Sequence, residues 1–176
     1  MNSLNEFIGQ DSAVSILKDM VCSAKYRKTA IAHCLIVGKP GLGKTTIAQI
    51  MAREMGAKCH VKMAQNFKKP EELLAYIAFM RPKDVLLLDE VHAMKKEVQE
   101  GLFHYMENRQ IDIKLPYHEL RNKLQFKNIK KNQLVTITGR GPDITIVGAT
   151  TNPEHLLSPF IDRFQSTIEL LSLIHI

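Results

Sequence analysis

Gly38-Lys39-Pro40-Gly41-Leu42-Gly43-Lys44-Thr45 decides how this 176-residue chain is read. The stretch fits G-x-x-x-x-G-K-[ST], the pattern of a phosphate-binding loop. The apolar run Cys34-Leu35-Ile36-Val37 leads into it, and a helical pattern over residues 45–55 leads out. That context matters more than the letters, because such a loop works only between a strand end and a helix N-terminus. Its glycines let the backbone curl so that several amides face one anion. Lys44 adds a full positive charge for outer phosphates, and Thr45 offers a hydroxyl oxygen to Mg²⁺. Without those flanks the same letters would be a glycine-rich turn that binds nothing.

Outward from the loop, strand and helix patterns alternate. Gly56 closes the helix after the loop as a C-terminal cap, and residues 58–63 read as a short strand. Pro70 opens a second helix, with Glu71 and Glu72 near the positive end of its dipole and Leu73, Leu74, Ile77 and Ala78 turned inward. Val85-Leu86-Leu87-Leu88 is an unbroken apolar strand, as expected where both faces are covered. Residues 95–108 form a helix that buries Val98, Leu102, Tyr105 and Met106, and residues 144–149 form another apolar strand. Ahead of the loop, Ala13, Ile16, Leu17, Met20, Val21 and Ala24 fall at helical spacing. This alternation predicts an α/β fold, a parallel sheet with helices on both sides.

Residues 111–143 break the rhythm, being too long for an ordinary connection. Ile111-Asp112-Ile113-Lys114-Leu115 and Leu134-Val135-Thr136-Ile137-Thr138 alternate like strands, so the segment reads as a β-hairpin insertion. Between its arms Arg121, Lys123, Lys127, Lys130 and Lys131 are interleaved with Leu124, Phe126 and Ile129. Such a run is either a solvated face or a contact for nucleic acid or an acidic protein.

Bulk properties set the frame. The length fits one domain with an insertion, and 45% hydrophobic residues suffice for a core. Twenty-four Lys+Arg against 18 Asp+Glu make the chain mildly basic, which permits a polyanionic partner without demanding one. Cys22, Cys34 and Cys59 are odd in number and form no C-x-x-C, which points to a reducing, cytoplasmic setting. The seven histidines show no metal-ligand spacing. No stretch reaches the ~20 apolar residues of a membrane span, and residues 1–10 do not resemble a signal peptide.

Asp89-Glu90 follows the apolar strand directly. In an open parallel sheet, ligands collect at the carboxyl ends of strands. There Asp89 would hold Mg²⁺ through water and Glu90 would act as general base on the attacking water; a helix cap is the plainer alternative. Thr150-Thr151-Asn152-Pro153 puts polar groups at the next strand end, either against the γ-phosphate or in a simple turn. Arg163 admits two readings as well, a charge lent to a neighbour's site or a surface ion pair with Asp162. Phe7 and Ile8 are either core residues or an apolar wall for a base.

Taken together these residues resemble the AAA+ ATPases and, within them, the RuvB branch-migration motors. The likeness covers about residues 4 to 170. It rests on Leu4-Asn5-Glu6-Phe7-Ile8-Gly9-Gln10, the loop through Thr46, Asp89-Glu90-Val91-His92, Gly148-Ala149-Thr150-Thr151, and Leu157-Ser158-Pro159 with Asp162-Arg163-Phe164. The resemblance implies a three-layer αβα P-loop NTPase with a central parallel five-stranded sheet and a β-hairpin insertion. By the same resemblance Ile8 lines the adenine pocket, Gly38, Lys39, Pro40, Gly41, Leu42, Gly43, Lys44, Thr45 and Thr46 cradle ATP, and Thr45 and Asp89 hold Mg²⁺. Glu90, Lys44, Thr151 as sensor 1 and Arg163 as arginine finger would carry ATP hydrolysis. The family forms hexameric rings on DNA and drives Holliday-junction branch migration in recombination and repair.

Some features depart from the family. The segment at 111–143 is longer and more basic than the hairpin that meets the family's partner RuvA, and Ile161 stands where the family has an arginine. Residues 1–170 are expected to be the large ATPase subdomain, with the helical lid and winged-helix DNA-binding domain absent. Leu171-Ser172-Leu173-Ile174-His175-Ile176 back-translates as CTG TCT CTT ATA CAC ATC, a transposase adapter sequence, so 171–176 reads as a non-native tail. The other functional class compatible with these motifs is a clamp-loader-like nucleotide switch that loads or remodels a protein partner.

Overall fold

The computed structural model describes residue 4 and residues 10–116 and 133–171. The adenine-pocket reading of Ile8 and the basic run from 121 to 131 lie outside the described residues. In chain order the principal elements are α1 (Asp11–Arg27), β1 (Cys34–Val37), α2 (Lys44–Glu54), β2 (Cys59–Met63), α3 (Pro70–Ala78) and β3 (Val85–Asp89). After them come α4 (Lys96–Asn108), β4 (Gln110–Pro116), β5 (Leu134–Arg140), β6 (Thr145–Thr150), α5 (Ser158–Ile161) and β7 (Ser166–Glu169).

Five strands form one sheet in the order β2-β3-β6-β1-β7, and every pairing in it is parallel. Because consecutive side chains on a strand point to opposite faces, the apolar strands feed two cores. Leu86 and Leu88 join Leu35 and Ile146 on one face, where α3 and α4 add Leu73, Ile77, Val98 and Leu102. Val85 and Leu87 join Cys34, Ile36, Val147 and Ala149 on the other, where α1 and α2 add Leu17, Val21, Ile47, Ile50 and Met51. Each such side chain contributes roughly 2 kcal/mol on burial, so the runs of strand residues buried on both faces are what hold the three layers together. Burial drives the Cys34 thiol up to about 12 and the Cys59 thiol up to about 11, which leaves both as unreactive apolar side chains at neutral pH.

Ile16 departs from the sequence expectation: it is exposed on α1, while Val14 is buried. The buried stripe runs Ala13, Val14, Leu17, Val21, Ala24, and Ile16 lies about 100° around the helix from Leu17.

The insertion's arms do form a hairpin. β4 and β5 pair antiparallel, Ile113 opposite Ile137. Ile111, Ile113 and Leu115 are buried and alternate with exposed Gln110, Asp112 and Lys114. The hairpin's root is fixed to α4: Arg109 pairs with Asp143 at 2.7 Å, the Gly141 amide donates to the Arg109 carbonyl at 2.7 Å, and the Tyr105 hydroxyl donates to the Pro142 carbonyl.

His33, just before β1, accepts the Ile146 amide on Nδ1 at 3.0 Å. Burial lowers its pKa from 6.5 to about 4; attraction by Asp143 opposes this and Arg109 assists it. The imidazole is therefore neutral in the fold, whereas in the unfolded chain it takes up a proton below 6.5. Its stabilising contribution is whole above that value and is lost as pH falls toward about 4. Urea unfolding across this window should show a loss of up to about 3 kcal/mol, trimmed by the surface His33 retains. His33→Asn, which keeps an acceptor for the Ile146 amide, should flatten that slope.

Candidate active site

The loops that leave the five strands share one edge of the sheet. β1 ends at Val37, and the Gly38 amide donates to the Thr150 carbonyl at 3.1 Å, pinning the phosphate-loop motif to the end of β6. Gly41 and Gly43 have φ of +82° and +88°, a backbone region that costs other L-residues roughly 1–2 kcal/mol. Gly43 is the N-cap of α2, so the motif ends on a helix N-terminus as the sequence requires.

Lys44 opens α2 and is only 8% exposed. Its Nζ donates to the Gly38 carbonyl at 2.7 Å and the Lys39 carbonyl at 3.1 Å. Among the described residues no carboxylate pairs with it. A nearly buried ammonium held only by neutral oxygens leaves positive charge uncompensated at the loop, which favours an anion there. Thr45 and Thr46 follow, half-buried in the first turn of α2.

β3 does not lie beside β1; β6 runs between them. The registers Val37↔Thr150 and Leu88↔Gly148 put Asp89 and Glu90 level with the end of β1. Two strand spacings separate them from it, about 10 Å across the sheet. Loop and acid pair thus share one edge, with Thr150 between them. The Glu90 amide donates to Asp89 Oδ1 at 3.0 Å. Glu90 itself has a φ of +50°, a strained conformation for a residue with a side chain.

The Glu90 carboxylate is the unusual group here. Its Oε2 is buried with no hydrogen-bond partner. His92 Nδ1 stands 3.2 Å away, near enough for charge attraction but not aligned as a hydrogen bond. The same Nδ1 meets Thr150 Oγ1 at 2.9 Å, and the Asn152 amide donates to that hydroxyl oxygen at 3.0 Å. The Thr151 hydroxyl donates to Asn152 Oδ1 at 2.6 Å. A buried acceptor left unmatched is costly unless something else uses it, and an activated water is a natural occupant. Sequence reasoning gave His92 no role of its own; a ring nitrogen two residues past the acid pair was the available signal.

Arg163 lies elsewhere. Gln165, two residues on, donates its amide to the His33 carbonyl at the start of β1, whereas the phosphate loop leaves its end. The guanidinium pairs with Glu107 at 2.9 Å, not with Asp162, and stands 5.9 Å from the Phe103 ring centroid. Among the described residues no group of three or more His, Cys, Asp or Glu could hold a metal ion by itself. A Mg²⁺ site shared with phosphate and water does not require one; one hydroxyl and one carboxylate fit it, and Thr45 and Asp89 are of that kind. No helix among the described residues is long and apolar enough to cross a membrane.

Residues 1–170 match the family described as the Holliday junction DNA helicase RuvB P-loop domain. The Holliday junction branch migration complex subunit RuvB of Microcystis aeruginosa is 36% identical over 92% of this chain, which spans 42% of that relative. The corresponding subunit of Chloroflexus aggregans is 34% identical over 96% of the chain and 45% of its own length. The solved Thermotoga maritima RuvB Holliday junction branch migration motor superposes with a TM-score of 0.74 at 31% identity, covering 97% of this chain and 48% of that one. This chain therefore spans less than half the length of these relatives.

Thr150 is fully buried, and its hydroxyl serves both His92 and the Asn152 amide. Thr150→Val keeps the shape and leaves that amide without an acceptor. Urea unfolding should show a loss of about 1–3 kcal/mol, with Thr150→Ser losing less.

Proposed function

The chain belongs to the RuvB P-loop domain family, and on that premise we propose that it binds and hydrolyses ATP as the motor part of a Holliday-junction branch-migration ATPase. The observation that carries the reading is Lys44, a nearly buried ammonium with no carboxylate partner among the described residues, at the mouth of a glycine loop on a helix N-terminus.

In this reading the amides of Gly38 to Thr46 cradle the outer phosphates and Lys44 neutralises part of their charge. Thr45 and Asp89 would hold Mg²⁺, which when bound supplies further charge neutralisation on the phosphates. Glu90 orients a water with its unmatched carboxylate oxygen and takes its proton. Thr151 reports on the reacting phosphate from the end of β6, and Ile8 walls the base.

Arg163 sits at the opposite edge of the sheet from the phosphate loop, with the length of β1 between. At about 3.3 Å per residue the four residues of β1 put the loop out of its reach. Under the arginine-finger assignment Arg163 would serve a neighbouring subunit's nucleotide, and that supports proposing a ring, hexameric as in the family resemblance, with DNA as the substrate it moves along.

Nucleotide binding by fluorescence and phosphate release, each with and without four-way junction DNA, test the assignment. Lys44→Ala should weaken ATP binding at least tenfold. Glu90→Gln should bind ATP and fail to turn it over; wild-type-like turnover by that variant refutes the general-base assignment. Arg163→Ala should bind ATP normally and lose about 10³-fold in turnover wherever the wild type assembles.

A further inference from the structure

Past the acid pair the chain turns sharply and brings two side chains together. Glu90 takes a φ of +50°, and a single turn of 3₁₀ helix, Val91–Ala93, follows it. The Ala93 amide donates to the Glu90 carbonyl at 2.9 Å, and the Met94 amide to the Val91 carbonyl at 3.1 Å. Val91 is fully buried and anchors the turn in the core that α3 and α4 share with the sheet. His92 is thereby returned toward the acid it follows, with the His155 ring edge-on beside it at 6.3 Å between centroids.

One atom, His92 Nδ1, stands between two oxygens. Thr150 Oγ1 is 2.9 Å from it and Glu90 Oε2 is 3.2 Å from it. An ionised carboxylate can only accept. A bare ring nitrogen at that distance would set lone pair against lone pair, so the proton belongs on Nδ1. The Nδ1–H group then has two acceptors. It is hydrogen-bonded to the threonine, and it attracts the carboxylate without being aligned with it. The difference matters, because a full hydrogen bond stabilises a carboxylate's charge and makes it a weaker base. Committed to Thr150, the ring holds the carboxylate in place and leaves Oε2 unmatched.

The threonine is itself held. Its Oγ1 accepts the Asn152 amide at 3.0 Å, and Asn152 Oδ1 accepts the Thr151 hydroxyl at 2.6 Å. An unbroken run of contacts thus leads from Thr151, the group assigned to the reacting phosphate, through Asn152, Thr150 and His92 to Glu90. It crosses from the end of β6 to the end of β3, joining residues 58 apart in the chain.

We propose that His92 is a positioning residue for the general base: its Nδ1–H, held by Thr150, aims the Glu90 carboxylate and couples it to the phosphate-sensing end of β6. This rests on the ATPase reading above. A base oriented by a third group is a recurring arrangement in sites that activate a nucleophile. A histidine kept only for packing needs one partner, and Thr150 supplies it. Packing leaves unexplained the 3.2 Å approach to a buried, unmatched acid oxygen.

The test follows kcat, ATP affinity and the ring itself in the intact chain. His92→Phe should lower kcat about tenfold or more and leave ATP affinity within about twofold. His92→Asn, whose amide nitrogen falls near the position of Nδ1, should recover most of that loss. Thr150→Val should also lower kcat and Thr150→Ser should not. His92→Phe combined with Thr150→Val should lose no more than His92→Phe alone, since both act through one ring. Nitrogen-15 shifts of the His92 ring in the nucleotide-free protein, recorded at about pH 8.5, well above the usual histidine value, should place the proton on Nδ1. Glu90→Gln should move that resonance. Circular dichroism establishes that each variant is folded, and His92→Leu serves if His92→Phe is not. Wild-type kcat in His92→Phe, an equal loss of kcat and ATP affinity, additive losses in the double variant, or a bare Nδ1 would each overturn the proposal. A chain that turns over no ATP would overturn the ATPase reading instead, and the ring shifts alone would then decide whether His92 is tied to Glu90.

Discussion

The hydrogen bond from the Gly38 amide to the Thr150 carbonyl, 3.1 Å long, is the joint on which the site depends. It is the last rung between β1 and β6, and it sets where the loop begins relative to every other strand end. Because β6 also pairs with β3, this rung fixes the loop and the Asp89-Glu90 pair to one rigid frame. A phosphate loop needs its amides aimed at one point, and an acid that activates water needs a fixed distance from it. Parallel pairing through a shared central strand meets both needs.

The two edges of the sheet have divided the work. Where strands end, groups are left unmatched: the Lys44 charge, the Glu90 oxygen, the curled loop. Where strands begin, several polar groups are tied off, although Arg163 Nε is not. Asp143 pairs with Arg109 and accepts the Ala30 amide at 3.0 Å, Thr145 donates to the Ile31 carbonyl at 2.9 Å, and Asp84 gathers three donors. Buried unmatched groups cost stability, and the contacts tied off where strands begin help the domain bear that cost.

Much of this was readable in the chain because it is local. Cys34–Val37 and Val85–Asp89 announce themselves as short apolar runs, the glycine spacing names the loop, and alternation from Ile111 to Leu115 marks a hairpin arm. What was not readable is long-range. No local pattern says that β6 inserts between β1 and β3, since strand order follows from how crossovers pack. Arg163 finds Glu107, 56 residues away, rather than adjacent Asp162, because α5 and α4 meet over the shared core. Ile16 fits a helical stripe on paper, but α1 turns its Val14 side to the sheet. His92 could be seen in the sequence, yet its link to Thr150 spans 58 residues and emerges only when both strand ends are aligned.

The pairing of Arg163 with Glu107 bears on whether that arginine is free to serve a neighbour. A buried ion pair would hold it at home, since breaking one strands a charge. This pair is not buried: the two side chains are 35% and 49% exposed. Pairs of that kind are worth about 0–1 kcal/mol, and the guanidinium's Nε has no partner at all. A triphosphate carries several negative charges against the single one on Glu107, so a neighbour's nucleotide, if brought to it, would outcompete the resting contact. Glu107 thus keeps the arginine extended over the Phe103 ring without committing it, and the resting ion pair is compatible with a role in trans for energetic reasons rather than in spite of them.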